Sequence, residues 1–186
     1  MASEQTVSRA PHTHGTGVDP AAKPWLAQYE PGVPASIDYP DVALPQLLAD
    51  AVARHADRPA LVYFGRTMTY RELDRAAAQF ANRLRQFGLR QGDRVLVILP
   101  NCPQFLICHF GILRAGGVVA AISPLLVQRE VEELARDAGA KIVVVLDRFY
   151  EKVADLHRRG EVERVIVASP DEYLPLHLRL LYPLGA

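Results

Sequence analysis

Two stretches, Thr67-Met-Thr-Tyr-Arg-Glu-Leu73 and Leu113-Arg-Ala-Gly-Gly-Val-Val-Ala-Ala-Ile-Ser-Pro124, decide the fold of this 186-residue chain. The first is a helix start. Thr69 is placed to cap the free amides of a first turn, and Glu72, three residues on, to reach back and complete a capping box. The second is a helix end, two glycines and an apolar strand. That is the joint by which a parallel α/β sheet passes from one strand to the next.

Working outward, the spacing predicts a helix from Leu44 with Pro45 in its first turn and Leu44, Leu47, Leu48, Ala51, Val52 and His55 along one face. Ala60 to Phe64 reads as a strand that Gly65-Arg66 turns into a second, ending at Thr69. The helix after Thr69 carries Tyr70, Leu73, Ala77, Phe80, Leu84 and Phe87 at intervals of three or four. Gly88 and Leu89 suggest a Schellman end, and Gly92-Asp93 a turn.

From there strand and helix alternate. Arg94 to Leu99 is a strand, and a helix opened by Asn101 runs to Ala115. Val118 to Ile122 is a strand, followed by a helix over 127–138 with Val127, Val131, Leu134 and Ala138 inward. Lys141 to Leu146 is a strand, Tyr150 to Arg158 a helix and Arg164 to Ala168 a strand. Uninterrupted Val, Ile and Leu runs mean strands covered on both faces. The fold class is therefore α/β, a doubly wound, mostly parallel sheet flanked by helices with right-handed crossovers.

Composition removes several classes of function. Lys+Arg and Asp+Glu balance at 21 each, so no basic face calls for nucleic acid. Cys102 and Cys108 form neither a Cys-x-x-Cys pair nor a zinc set and read as reduced thiols in a cytosolic helix. The most apolar run, Ile112 to Val127, contains Arg114, Gly116, Gly117 and Pro124 and suits a buried turn and strand better than a bilayer. The N-terminus lacks a signal-peptide pattern. These features point to a cytoplasmic protein, one that a lipid substrate would bring to a membrane surface.

Residues 1–40 differ from the rest. They hold six of the 14 prolines and little apolar periodicity, as expected of a mobile or extended, irregular arm. His12 and His14 flank Thr13 but lack the further ligands a metal needs. Trp25, Leu26, Tyr29 and Ile37 read as anchors for the arm, across the folded body or across a neighbouring subunit in a homodimer.

No nucleotide fingerprint follows the strands. Pro100-Asn101-Cys102-Pro103 and Ser123-Pro124-Leu125 lack the glycines a Rossmann turn needs. No Walker Gly-Lys-Ser/Thr occurs, nor a Gly-x-Ser-x-Gly elbow.

The two opening stretches resemble the first two core motifs of the adenylate-forming superfamily of acyl-CoA synthetases, luciferases and peptide-synthetase adenylation domains. Pro24-Trp25-Leu26 with Tyr29, Gly32-Val33-Pro34 and Ile37 is similar to the start of long-chain fatty-acid–CoA ligases. So are Phe149-Tyr150-x-x-Val153, Tyr173-Leu174-Pro175 and Leu180-Leu181-Tyr182-Pro183. The resemblance covers residues 24–183. It departs at Ser123, where the family more often has Asn before the proline.

The resemblance implies that residues 41–186 are the N-terminal α/β portion of an AMP-binding domain, ending before the phosphate loop. It also implies an enzyme that joins a fatty acid to CoA with ATP and Mg2+ through an acyl-adenylate. The family's phosphate loop, Tyr-Gly-x-Thr-Glu stretch, ribose aspartate and mobile lysine match no position here. No catalytic, cofactor-binding or metal residue is therefore carried over, and none of those cofactors is expected on this chain alone. Tyr70, Glu72, Arg114 and Gly116 lie in matching motifs but read as a cap, a helix end and a joint. The expectation is an inactive, association-prone chain. A self-sufficient scaffold module, or part of a ligase for other acyl or aryl acids, is the alternative.

Overall fold

The computed structural model describes residues 23–181, which divide between a short unit ending at Asp41 and a larger one beginning at Val42. His12, His14, Tyr182 and Pro183 lie outside the described residues. In the short unit Pro24–Gln28 forms a 3-10 helix where an extended arm was expected. Proline at its start presets φ, and Tyr29 N–H closes the turn on the Leu26 carbonyl at 3.2 Å.

The larger unit begins with helix α1 (Leu44–His55) and a hairpin of β1 (Pro59–Tyr63) and β2 (Arg66–Thr69), paired antiparallel. Helix α1 buries only Leu48, and Leu44, Leu47 and His55 face outward rather than inward. The reason is a narrow contact: Leu48 and Val52, one turn apart, meet Met68, Leu73 and Ile107. The hairpin turn is Phe64-Gly65, not Gly65-Arg66, with φ of 48° and 82° at those two residues. Positive φ at both central positions is what a type I′ turn requires.

Helix α2 (Tyr70–Gln86) starts as its sequence dictates. The Thr69 hydroxyl accepts from Glu72 N–H at 3.2 Å, and the Glu72 carboxylate accepts from Thr69 N–H at 2.8 Å. It buries Leu73, Ala77, Ala81 and Leu84, while Tyr70, Phe80 and Phe87 are half-buried at its margins. Its end is the Schellman pair, Gly88 N–H to Arg85 and Leu89 N–H to Leu84.

Four strands follow: β3 (Arg94–Ile98), β4 (Val118–Ala121), β5 (Ile142–Leu146) and β6 (Arg164–Ala168). They form one parallel sheet in the order β4-β3-β5-β6, with Val95 opposite both Val119 and Ile142, and Val143 opposite Val165. The crossovers are α3 (Pro103–Ala115), α4 (Gln128–Ala138) and α5 (Glu151–Arg158), and a short α6 (Leu176–Leu181) follows. Alternate strand residues feed two cores. Val95, Val97, Ile142 and Val144 pack with Leu84 and Ile112 of α2 and α3 on one face. Leu96, Ile98, Val143 and Val145 pack with Val131, Val153 and Leu156 of α4 and α5 on the other. All five residues of β5 are buried, as a central parallel strand must be.

Two helix readings are corrected. Asn101 does not open α3. Cys102 is its N-cap without a side-chain bond, because Pro103, with no N–H to satisfy, takes the first position. In α4, Val127 and Leu134 are exposed, and Val131 with Ala135 makes the inward stripe. Val127 is the N-cap, its N–H donating to Glu130 at 3.0 Å, so its side chain lies outside the helical face.

Candidate functional site

Strand β3 leads through α3 to β4 on one side, whereas β5 leads through α5 to β6 on the other. Between the carboxyl ends of β3 and β5 the connections part, which is where open α/β sheets hold ligands. One wall is Leu99 to Pro103 and the start of α3. The other is a 3-10 turn, Asp147–Phe149.

This crevice is fastened by side chains. Ser169, just past β6, donates from Oγ to Asp147 Oδ2 at 2.8 Å, and Arg148 N–H donates to Asp147 Oδ1 at 2.7 Å. Gln104 Nε2 donates to the Ser169 carbonyl at 2.7 Å and faces Glu172 at 3.5 Å. Its Oε1 is buried without a partner among the described residues. Gln104 escaped the sequence reading although its spacing announces it: it shares the inward stripe of α3 with Ile107, Cys108, Gly111 and Ile112.

The arrangement orders the strand ends. The first helical residue of α3 is a proline, which has no N–H to donate, and both Asp147 oxygens already accept hydrogen bonds. Beside it, Leu61, Val62, Tyr63, Cys102, Phe105 and Leu106 line a mostly apolar cleft of about 310 Å³. Its chemistry is apolar contact. Burial raises the Cys102 thiol above its ordinary value and pushes Cys108 up to about 12. Neither is a nucleophile at neutral pH.

The motif residues have structural partners. Glu72 is held below the usual carboxylate range by the Thr69 N–H. Tyr70 is half-buried beside Leu48 and Met68, its N–H on the Arg58 carbonyl at 3.1 Å. Arg114 donates to the Asp74 carbonyl at 3.2 Å and forms an ion pair with its carboxylate. Gly116 sits at φ 90°, where a Cβ would be strained, and Gly117 N–H closes on the Ile112 carbonyl. Lys152 joins α5 to the loop after β4, donating to the Pro124 and Leu126 carbonyls at 2.6 and 2.7 Å. Among the described residues there is no group of three or more His, Cys, Asp or Glu that could hold a metal ion. No helix among them is long and apolar enough to cross a membrane.

Residues 48–178 match the family model described as AMP-binding enzyme. A long-chain-fatty-acid–CoA ligase of Bacillus subtilis (strain 168) is 36% identical over 162 residues, 87% of this chain and 29% of that protein. The corresponding ligase of Salmonella typhimurium is 37% identical over 155 residues, 82% of this chain and 28% of the relative. The crystal structure of a long-chain-fatty-acid-CoA ligase from Archaeoglobus fulgidus superposes with a TM-score of 0.67 over 78% of this chain and 32% of that one. At 24% identity it speaks for the fold alone. This chain thus spans under a third of the length of the relatives it matches. With the family model matching most of its residues, the chain belongs to the AMP-binding enzyme family.

Proposed function

We propose that this chain serves as the N-terminal scaffold of an ATP-dependent long-chain fatty-acid–CoA ligase and has no ligase activity by itself. In the overall reaction the fatty-acid carboxylate attacks the α-phosphorus of ATP and expels diphosphate. The thiol of CoA then displaces AMP to give acyl-CoA. The observation that carries the substrate class is the 36% identity to the Bacillus subtilis ligase across 87% of this chain.

The described residues fit the scaffold role. Activating a carboxylate needs donors and metal around the phosphorus and the departing diphosphate. The strand ends here offer prolines, an apolar cleft and a carboxylate already bonded on both oxygens. What the chain supplies is a rigid sheet with covered faces, against which other segments can be positioned.

The test is a chimera in which this chain replaces the matching residues of the Bacillus subtilis ligase. Formation of palmitoyl-CoA from palmitate, ATP and CoA is the expected outcome. A folded chimera that activates no fatty acid would overturn the reading.

A further inference from the structure

Lys152 stands in the first turn of α5, directly after the Asp147–Phe149 turn that follows β5. Its two acceptors, the Pro124 and Leu126 carbonyls at 2.6 and 2.7 Å, belong to the loop that follows β4. Strand β3 lies between β4 and β5. One side chain therefore spans the carboxyl end of β3 and ties together the connections on either side of it. Two of the three ammonium hydrogens go to carbonyls, and the charge lies over the Phe149 ring at 4.9 Å. No carboxylate pairs with it among the described residues. A part-buried ammonium that takes backbone carbonyls in place of a carboxylate is committed to fixing that backbone.

The rest of the loop is fixed as well. The Ser123 hydroxyl accepts from Leu125 N–H at 3.2 Å, the Ser123 carbonyl from Leu126 N–H at 3.3 Å, and Glu130 from Val127 N–H at 3.0 Å. Lys152 grips the carbonyls on either side of Leu125, whose side chain is left 85% exposed. A single exposed leucine on a loose loop is ordinary. One whose neighbouring backbone is committed on both sides is held out at a fixed place. That place is the carboxyl end of the sheet, where α/β folds meet their ligands, and the contact it offers is apolar.

We propose that Lys152 is a positioning residue of the ligase reaction, holding Leu125 against an apolar portion of a bound substrate. That portion is the alkyl chain of the fatty acid or the adenine of ATP or CoA. The inference rests on the proposed function, since the substrates are those of the ligase.

Steady-state kinetics of the Bacillus subtilis chimera test it, with palmitate, ATP and CoA varied in turn. Lys152→Met keeps the aliphatic stem and removes the donors. It should raise the KM of one substrate at least about fivefold, a larger factor than the fall in kcat. Leu125→Ala should raise the same KM. Lys152→Arg, whose fork also offers two donors, should restore most of it. A shift in palmitate marks the alkyl chain as the contact, and a shift in ATP or CoA marks adenine. Hydrogen exchange separates the two roles: the Leu125 and Leu126 amides should exchange about tenfold faster in Lys152→Met and at the parent rate in Leu125→Ala. All three KM values unchanged in Lys152→Met, or a rise that Leu125→Ala does not share, would overturn the assignment. A folded parent chimera without activity sinks the ligase reading and leaves the brace to exchange on the isolated chain. Unchanged rates there at residues 125 and 126 in Lys152→Met sink the brace.

Discussion

Arg114, near the end of α3, holds Asp74 of α2 by both its backbone carbonyl and its carboxylate. The two side chains are about a quarter exposed, so the pair is only partly screened by water. It ties together the two helices that cover one face of the sheet. Arg114→Ala should therefore cost about 2 kcal/mol, the range for hydrogen bonds to charged groups. Chemical denaturation checks it. Asp74→Ala on top of Arg114→Ala should cost much less than it does alone, and full additivity would contradict the pairing.

Close approach of α2 and α3 depends on a glycine inside a helix. A Cβ on Gly111 would lie 2.8 Å from Phe80 Cδ1 and 3.0 Å from the Ala77 carbonyl oxygen. Alanine would gain about 1 kcal/mol of helix propensity but overpack the interface by roughly 1–3 kcal/mol. Gly111→Ala is expected to lower the melting temperature, and an increase would refute this view of the helix crossing.

Phe64 occupies left-handed backbone at the hairpin turn and is 65% exposed. That conformation costs a bulky residue roughly 1–2 kcal/mol, against about 0.5 kcal/mol from its edge-to-face contact with Tyr63. Phe64→Asn should stabilise the chain by about 0.5–1 kcal/mol in a denaturant midpoint measurement.

Both cysteines are buried, and burial suppresses their thiolates. With Cys108 at about 12, only about one thiol in 10⁴ is ionised there at pH 8. Ellman's reagent should label neither residue in the native chain on the minute timescale and both at once in guanidinium. Fast native labelling at Cys108 would show that α3 opens locally.

The sheet was legible because parallel strands are buried on both faces and so appear as unbroken Val and Ile runs, as in Ile142–Leu146. The start of α2 was legible because Thr69 and Glu72 satisfy each other locally, with no help from tertiary packing. Periodicity misled where contact is narrow: Leu44, Leu47 and Leu134 sit on apolar stripes yet face solvent. It was silent where function is at stake, because the fastening of the strand ends is long-range. Nothing local joins Gln104 to Ser169 or Asp147 to Ser169, and only the closing of the sheet brings them together.

Diphosphate exchange into ATP by the purified 186-residue chain, with palmitate and Mg2+, tests the division between scaffold and chemistry most directly. We expect incorporation no higher than in a protein-free blank, and the same assay to respond when the chain is part of the chimera. Palmitate-dependent exchange by the chain alone would contradict the account.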